Sequence, residues 1–220
     1  MTIKHTAAGT IIAAAWLASI APSCAQAPRP DSPPPSFTVI SPVFSQLVSF
    51  SMPSNFAASF ENTNNGRYTR EAVPKGETVE KWTEMITVTG AKGLAAAPNA
   101  SAENFAGSIA AGFKNACPDS FVARRMAATT VSGYDAFVAV VGCGRVGNAA
   151  EARSETALIV AIKGSADLYT VQWAERGAAS GKADVENARW QDRLKRLAPL
   201  RICAIVPGEK APYPSCIGKP

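Results

Sequence analysis

The chain reads as an α+β domain: an antiparallel β-sheet flanked by helices and stapled by disulfides. Three observations predict it. Apolar and polar residues alternate in successive short runs joined by tight turns, the pattern of sequentially paired antiparallel strands rather than βαβ units. Two helical stretches, at 101–116 and 184–197, are separated by a meander of strands, so each can cover a face of the sheet. Of five cysteines, four (Cys117, Cys143, Cys203 and Cys216) fall within or just after this region, and an even set reads as a disulfide framework.

Residues 1–25 read as a secretory signal peptide. Lys4 supplies the positive start, and Gly9 to Ile20 is an apolar stretch too short to span a bilayer. Ser23-Cys24-Ala25 offers a cleavage site before Gln26; Ala25-Gln26-Ala27 competes, but puts Pro28 just after the cut. A third reading lipidates Cys24, against a poor lipobox in Ala21-Pro22-Ser23. Removing or lipidating Cys24 leaves the even set. It also removes His5, the chain's single histidine, and lowers the net charge from +5 to +4. That mild charge does not point to nucleic acid.

Residues 26–36 form a Pro-rich linker whose proline density favours extended polyproline II. The folded domain is expected over 37–206, followed by a Pro-rich tail over 207–220. Strands are predicted at 43–52 (VFSQLVSFSM, ended by Pro53), 56–62 and 66–73, the last two joined by the hairpin signal Asn65-Gly66. Glu77 to Trp82 suggests a helical turn before a strand at 84–89. In the helix at 101–116, Ser101 is the cap, and Phe105, Ile109 and Phe113 make one apolar stripe. Strands follow at 121–131, 134–143, 153–163 and 168–175. Asp184 is expected to cap the last helix, with Val185, Trp190, Leu194 and Leu197 as its core face. Its basic residues Arg189, Arg193, Lys195 and Arg196 read as a solvated side.

Four cysteines allow three pairings. We expect Cys117–Cys143 and Cys203–Cys216, the second pinning a tail that could not dock by burial alone; each bridge is worth about 2–4 kcal/mol. No cysteine pair has C-x-x-C spacing, so a zinc site is not expected, and no cofactor is. Gly142-Cys143-Gly144-Arg145-Val146-Gly147 spells G-x-G-x-x-G after an apolar strand. The next strand begins too soon for the crossover helix that a dinucleotide fold needs, so the motif reads as a hairpin loop.

Without a histidine in the mature chain, Ser-His-Asp, Cys-His and H-E-x-x-H chemistries have no base or ligand. Glu61, Glu71, Glu77, Glu80 and Glu84 cluster in sequence and leave one catalytic alternative. This is a secreted glycoside hydrolase, which needs two carboxylates about 5–9.5 Å apart.

Tyr68 to Gly90 is the most distinctive stretch. A strand is followed by Pro74, Gly76 and Glu77, then Trp82, Met85 and Ile86 lead into another strand, with FSMPSNF upstream at 50–56. This pattern resembles small exported bacterial proteins of the Mog1/PsbP-like type. The resemblance implies an α/β/α sandwich, a binding or scaffold role, and no catalytic residues.

The sequence therefore points to a non-enzymatic periplasmic or secreted domain that binds another envelope component. The expected contact surface is Tyr68, Arg70, Lys75 and Trp82, with Arg189, Arg193 and Arg196 of the C-terminal helix. Lipidation at Cys24 would make it an outer-membrane lipoprotein tethered through the linker. Intact mass of the protein recovered from its host tests the processing: the chain should start at Gln26, and four cysteines should become alkylatable only after reduction.

Overall fold

The computed structural model describes residues 35–148 and 151–217. The expected signal peptide, Cys24 and nearly all of the Pro-rich linker lie outside them.

The first strand, β1 (Ser36–Val43), turns back at once into β2 (Gln46–Pro53). The strand expected at 43–52 runs through this turn into β2, and β1 was not expected as a strand. The turn residue Phe44 adopts φ 55°, a left-handed conformation that no glycine or asparagine announces. A short last strand, β10 (Arg201–Ala204), pairs with β2 and completes a small antiparallel sheet in the order β1-β2-β10.

The large sheet is antiparallel throughout. Its strands are β3 (Phe56–Asn64), β4 (Arg67–Pro74), β5 (Glu84–Ala91), β6 (Phe121–Val131), β7 (Tyr134–Val146), β8 (Arg153–Lys163) and β9 (Leu168–Ala178). Their spatial order is β3-β4-β5-β9-β8-β7-β6. Helix α1 (Ala102–Ala116) lies on one face. Its cap is as expected: Ser101 Oγ accepts the Asn104 N–H at 3.0 Å. Helix α2 (Arg189–Leu197) is shorter than the sequence reading. Asp184 does not cap it; its carboxylate accepts from the Asn187 amide at 3.1 Å, within an irregular approach segment. The expected helical turn at 77–82 is a non-helical loop closed by Glu77, which accepts from both Thr83 N–H and Oγ–H.

Layering follows from strand alternation. Along β8, Leu158, Val160 and Ile162 face the small sheet, while Ala157, Ile159 and Ala161 face α1. Both faces of the strand are covered, so it reads as an unbroken apolar run. Alanines under the helix leave room for its stripe of Phe105, Ile109 and Phe113. The opposite face is a larger core, where Trp173, Tyr169 and Trp190 are fully buried and Phe56 meets Trp173 edge-on at 5.5 Å. A small sheet with α2 beside it therefore stands where the α/β/α expectation placed a helical layer. Missing the β1–β2 turn and β10 concealed that second sheet.

The two sheets are joined at one end by Asp167, in the β8–β9 turn. Its carboxylate is buried and accepts four hydrogen bonds. Ser45 Oγ–H reaches it at 2.6 Å, Ser45 N–H at 3.0 Å, Gly93 N–H at 2.7 Å and Tyr169 O–H at 3.0 Å. Beside it, Gln46 Oε1 accepts the Ser165 N–H at 2.9 Å. Close approach is permitted by Gly90, where a Cβ would lie 2.5 Å from Val43 Cγ1.

Both disulfides have the expected pairing. Cys117–Cys143 fastens the end of α1 to β7, and Cys203–Cys216 folds the tail back onto β10. The G-x-G-x-x-G run is not a hairpin loop but the end of β7. A Cβ on Gly144 would strike the backbone of Ser180 and Lys182, so glycine there lets the 180–183 segment cross.

Burial alone would raise the Asp167 carboxyl, but its hydrogen bonds from Ser45, Gly93 and Tyr169 hold it below the usual carboxylate range. Its stabilisation should be complete above about pH 4, the unfolded value, and be lost as pH falls through the lower folded value. Asp167→Ala should cost about 1–3 kcal/mol at neutral pH, because it removes the acceptor that holds Ser45, Gly93 and the buried Tyr169 hydroxyl together. In acid denaturation the variant should lose that segment of the pH profile.

Candidate functional site

The residues expected to form a contact surface have different fates. Tyr68 and Trp82 are buried, at 5% and 8% exposure, so the expectation of exposed aromatic anchors is corrected. Tyr68 lies on the core face of β4 and donates to Glu61 at 2.9 Å. Burial first, then the Glu61 hydrogen bond and charge, push its phenol up to about 12. Trp82 closes a small cluster with Val73 and Met85 beneath the Arg176 guanidinium, 3.7 Å from its ring centroid. Arg70 reaches across to Ser41 of β1 at 2.7 Å, and Lys75 is exposed on the turn after β4.

The basic helix is not the solvated face its composition suggested. Arg193 bonds Glu175 at 2.6 Å and lies 3.5 Å from Glu84; Arg189 lies 3.3 Å from Glu175. Glu84 also accepts the Trp173 indole N–H at 3.0 Å. Arg193 and Arg196 lie over Trp173, at 4.9 and 4.8 Å from its centroid. Burial, then the charge of Arg193, lowers the Arg196 pKa. These side chains dock α2 on the sheet; Lys195, with 77% of its side chain exposed, is the one turned outward.

The five clustered glutamates are dispersed. Glu61 is held by Tyr68, Glu77 by Thr83, and Glu84 by Arg193 and Trp173. Glu80 is exposed. Glu71, cross-strand to Thr87 and Phe60, sits on the opposite face from Arg70 and Glu61, the face that carries α1. Among the described residues, no three His, Cys, Asp or Glu side chains are grouped so as to hold a metal ion.

Hollows lie along both flanks of α1: one of about 340 Å³ runs between Ala106 and Ala110 of the helix and Arg125 and Phe137 of β6 and β7, and the others lie on the side of β4, β5 and β9. A hollow of about 230 Å³ lies between Phe105, Ser108 and Ile109 of the helix and Thr69, Thr89 and Gln172 of the sheet. Its floor is fixed by hydrogen bonds: Thr89 to Thr170 at 2.7 Å and Gln172 to Thr170 at 2.9 Å. A second hollow of about 300 Å³ adjoins it at Phe105 and Ser108. A third, of about 400 Å³, adjoins at Ile109 and runs past Gly112 and Phe113 toward Val146, Arg153 and Glu155. The result is a trough with an apolar helix wall and a polar sheet floor, suited to an amphipathic ligand. Sequence reasoning saw the Phe105–Ile109–Phe113 stripe only as core. A signal did exist: Gly112 lies inside a helix, where glycine costs about 1 kcal/mol against alanine, and a Cβ there would meet nothing within 4 Å.

The fold is that of a disulfide-stapled α+β domain, as suits an oxidising compartment, with open concave surface beside one helix. No family model matches the chain, and no curated protein matches it. Among solved structures, a protein of Bacteroides thetaiotaomicron VPI-5482 matches at 13% identity with a TM-score of 0.39. The match covers 79% of this chain and 50% of that one, so this chain spans about half its length. LpqN of Mycobacterium tuberculosis, described as involved in cell envelope biogenesis, matches at 10% identity with a TM-score of 0.37. That match covers 76% of this chain and 91% of LpqN.

Burial raises the Glu71 carboxyl above its ordinary value. A raised folded value means that any stabilisation is present below the unfolded pKa and is lost as pH rises through the folded one. Glu71→Gln should therefore stabilise the fold at pH 7, by less than about 1 kcal/mol given its partial exposure, seen as a higher melting temperature, and leave the melting temperature unchanged at pH 3.

Proposed function

We propose that this chain is an exported, non-enzymatic binding domain of the cell envelope, and that its ligand lies in the trough beside α1. The observation that carries the reading is the pairing of an apolar wall, Phe105 and Ile109, with a polar floor, Thr69, Thr89 and Gln172, in hollows that share Phe105, Ser108 and Ile109 as lining residues. Such a surface recognises a ligand with one apolar and one polar side. The two disulfides support a working place in an oxidising compartment. Glu61, Glu77 and Glu84 each have a partner of their own, which supports binding over carboxylate-pair hydrolysis.

The protein should be purified from its host's envelope fraction with disulfides intact, extracted with organic solvent, and the extract weighed by mass spectrometry. Wild type should carry a small molecule in near-stoichiometric amount. Ser108→Trp, on the exposed helix surface that lines the trough, should fold and lose it. Equal amounts in both proteins, or none in either, would remove the trough as the binding site.

A further inference from the structure

We infer that the hollow at the C-terminal half of α1 holds the chain of an aliphatic carboxylate, with Arg153 binding its head group. The inference rests on the binding-domain reading above and names the ligand class.

The walls come first. The hollow, about 400 Å³, falls within the roughly 300–1,000 Å³ of small-molecule sites. Ile109, Phe113 and Ala116 line it from the helix, and Val146 and the disulfide-bonded Cys143 from β7. Gly112 leaves the helix side open.

The polar groups come next. Glu155 and Arg153 both line this space. Glu155 is already answered by Arg176 at 3.0 Å. Arg153 is not: it joins no ion pair among the described residues, and its Nε is buried with no hydrogen-bond partner. A half-buried arginine that lines an apolar hollow and has no carboxylate of its own leaves its charge uncompensated unless an anion completes it. Its planar fork fits a carboxylate with two parallel bonds.

An acyl chain fits better than a peptide. Beside the hollow β8 is paired on both sides, and β7 is paired with β6 as far as Cys143 and with β8 at Val146, so the site lacks the long free strand edge that a peptide backbone would join. An acyl chain brings no backbone groups that need partners.

The test is calorimetric titration of the delipidated, disulfide-intact protein with laurate and with dodecanol, both below their aggregation limits. Laurate should bind at one site, roughly tenfold or more tighter than dodecanol. Arg153→Gln should bring laurate down to the dodecanol level, and Arg153→Lys should restore part of the difference. Gly112→Leu, which fills the hollow while favouring the helix, should abolish both and melt no lower than wild type. Equal affinity for the two probes, or laurate binding untouched by Arg153→Gln, would overturn the assignment of Arg153. Failure of both probes to bind wild type would overturn the ligand class. The binding-domain reading would still stand if an extracted molecule of other chemistry disappeared in Ser108→Trp.

Discussion

A buried carboxylate sets the relation between the two sheets. Asp167 draws donors from three places: Ser45 in the turn between β1 and β2, Gly93 in the turn after β5, and Tyr169 in strand β9. Taking a charge out of water costs several kcal/mol unless its lone pairs are met. The donors meet them only if the β1–β2 hairpin sits in one register on the large sheet. Sliding the hairpin by a residue would strand the charge and take Val43 off Gly90, the glycine whose missing side chain gives it room. The core beneath can then pack as one arrangement, because its lid has a single seat.

The two faces of the large sheet are closed to different degrees, and geometry explains why. Seven strands at about 4.8 Å spacing span about 30 Å, whereas one helix is about 10 Å wide. The small sheet, with α2 held by Arg193 on Glu175, covers one face broadly. On the other face α1 alone covers β7 and β8 and leaves the floor over β4, β5 and β9 partly open. The threonines and Gln172 of that floor are what a strand places where one side meets water. The trough is what remains when a single helix is laid on a wide sheet.

Local chemistry was legible in the sequence and long-range placement was not. The Asn65-Gly66 hairpin, the Ser101 cap, the α1 stripe and the cysteine pairs all act between near neighbours or through strong, specific residue preferences. The β1–β2 turn was hidden because Phe44 takes a left-handed conformation that its residue type disfavours. β10 was hidden because four residues carry no periodicity. Tyr68, Trp82 and the α2 arginines looked available because exposure is decided by what the chain brings over them. Trp82 lies under Arg176, 94 positions away, and Arg193 meets Glu84, 109 positions away. Arg153 drew no notice because an arginine is conspicuous only when it lacks a partner, a property of three dimensions alone.

The two disulfides carry a further consequence. Cys117–Cys143 anchors the end of α1, and Cys203–Cys216 anchors the last strand, so each secures an element that closes a layer. Together they contribute on the order of 4–8 kcal/mol, comparable to the whole net stability of an ordinary domain. A newly made chain in a reducing compartment lacks both, and its closing elements are the ones left loose. The same polypeptide is therefore soft where thiols persist and hard where they oxidise.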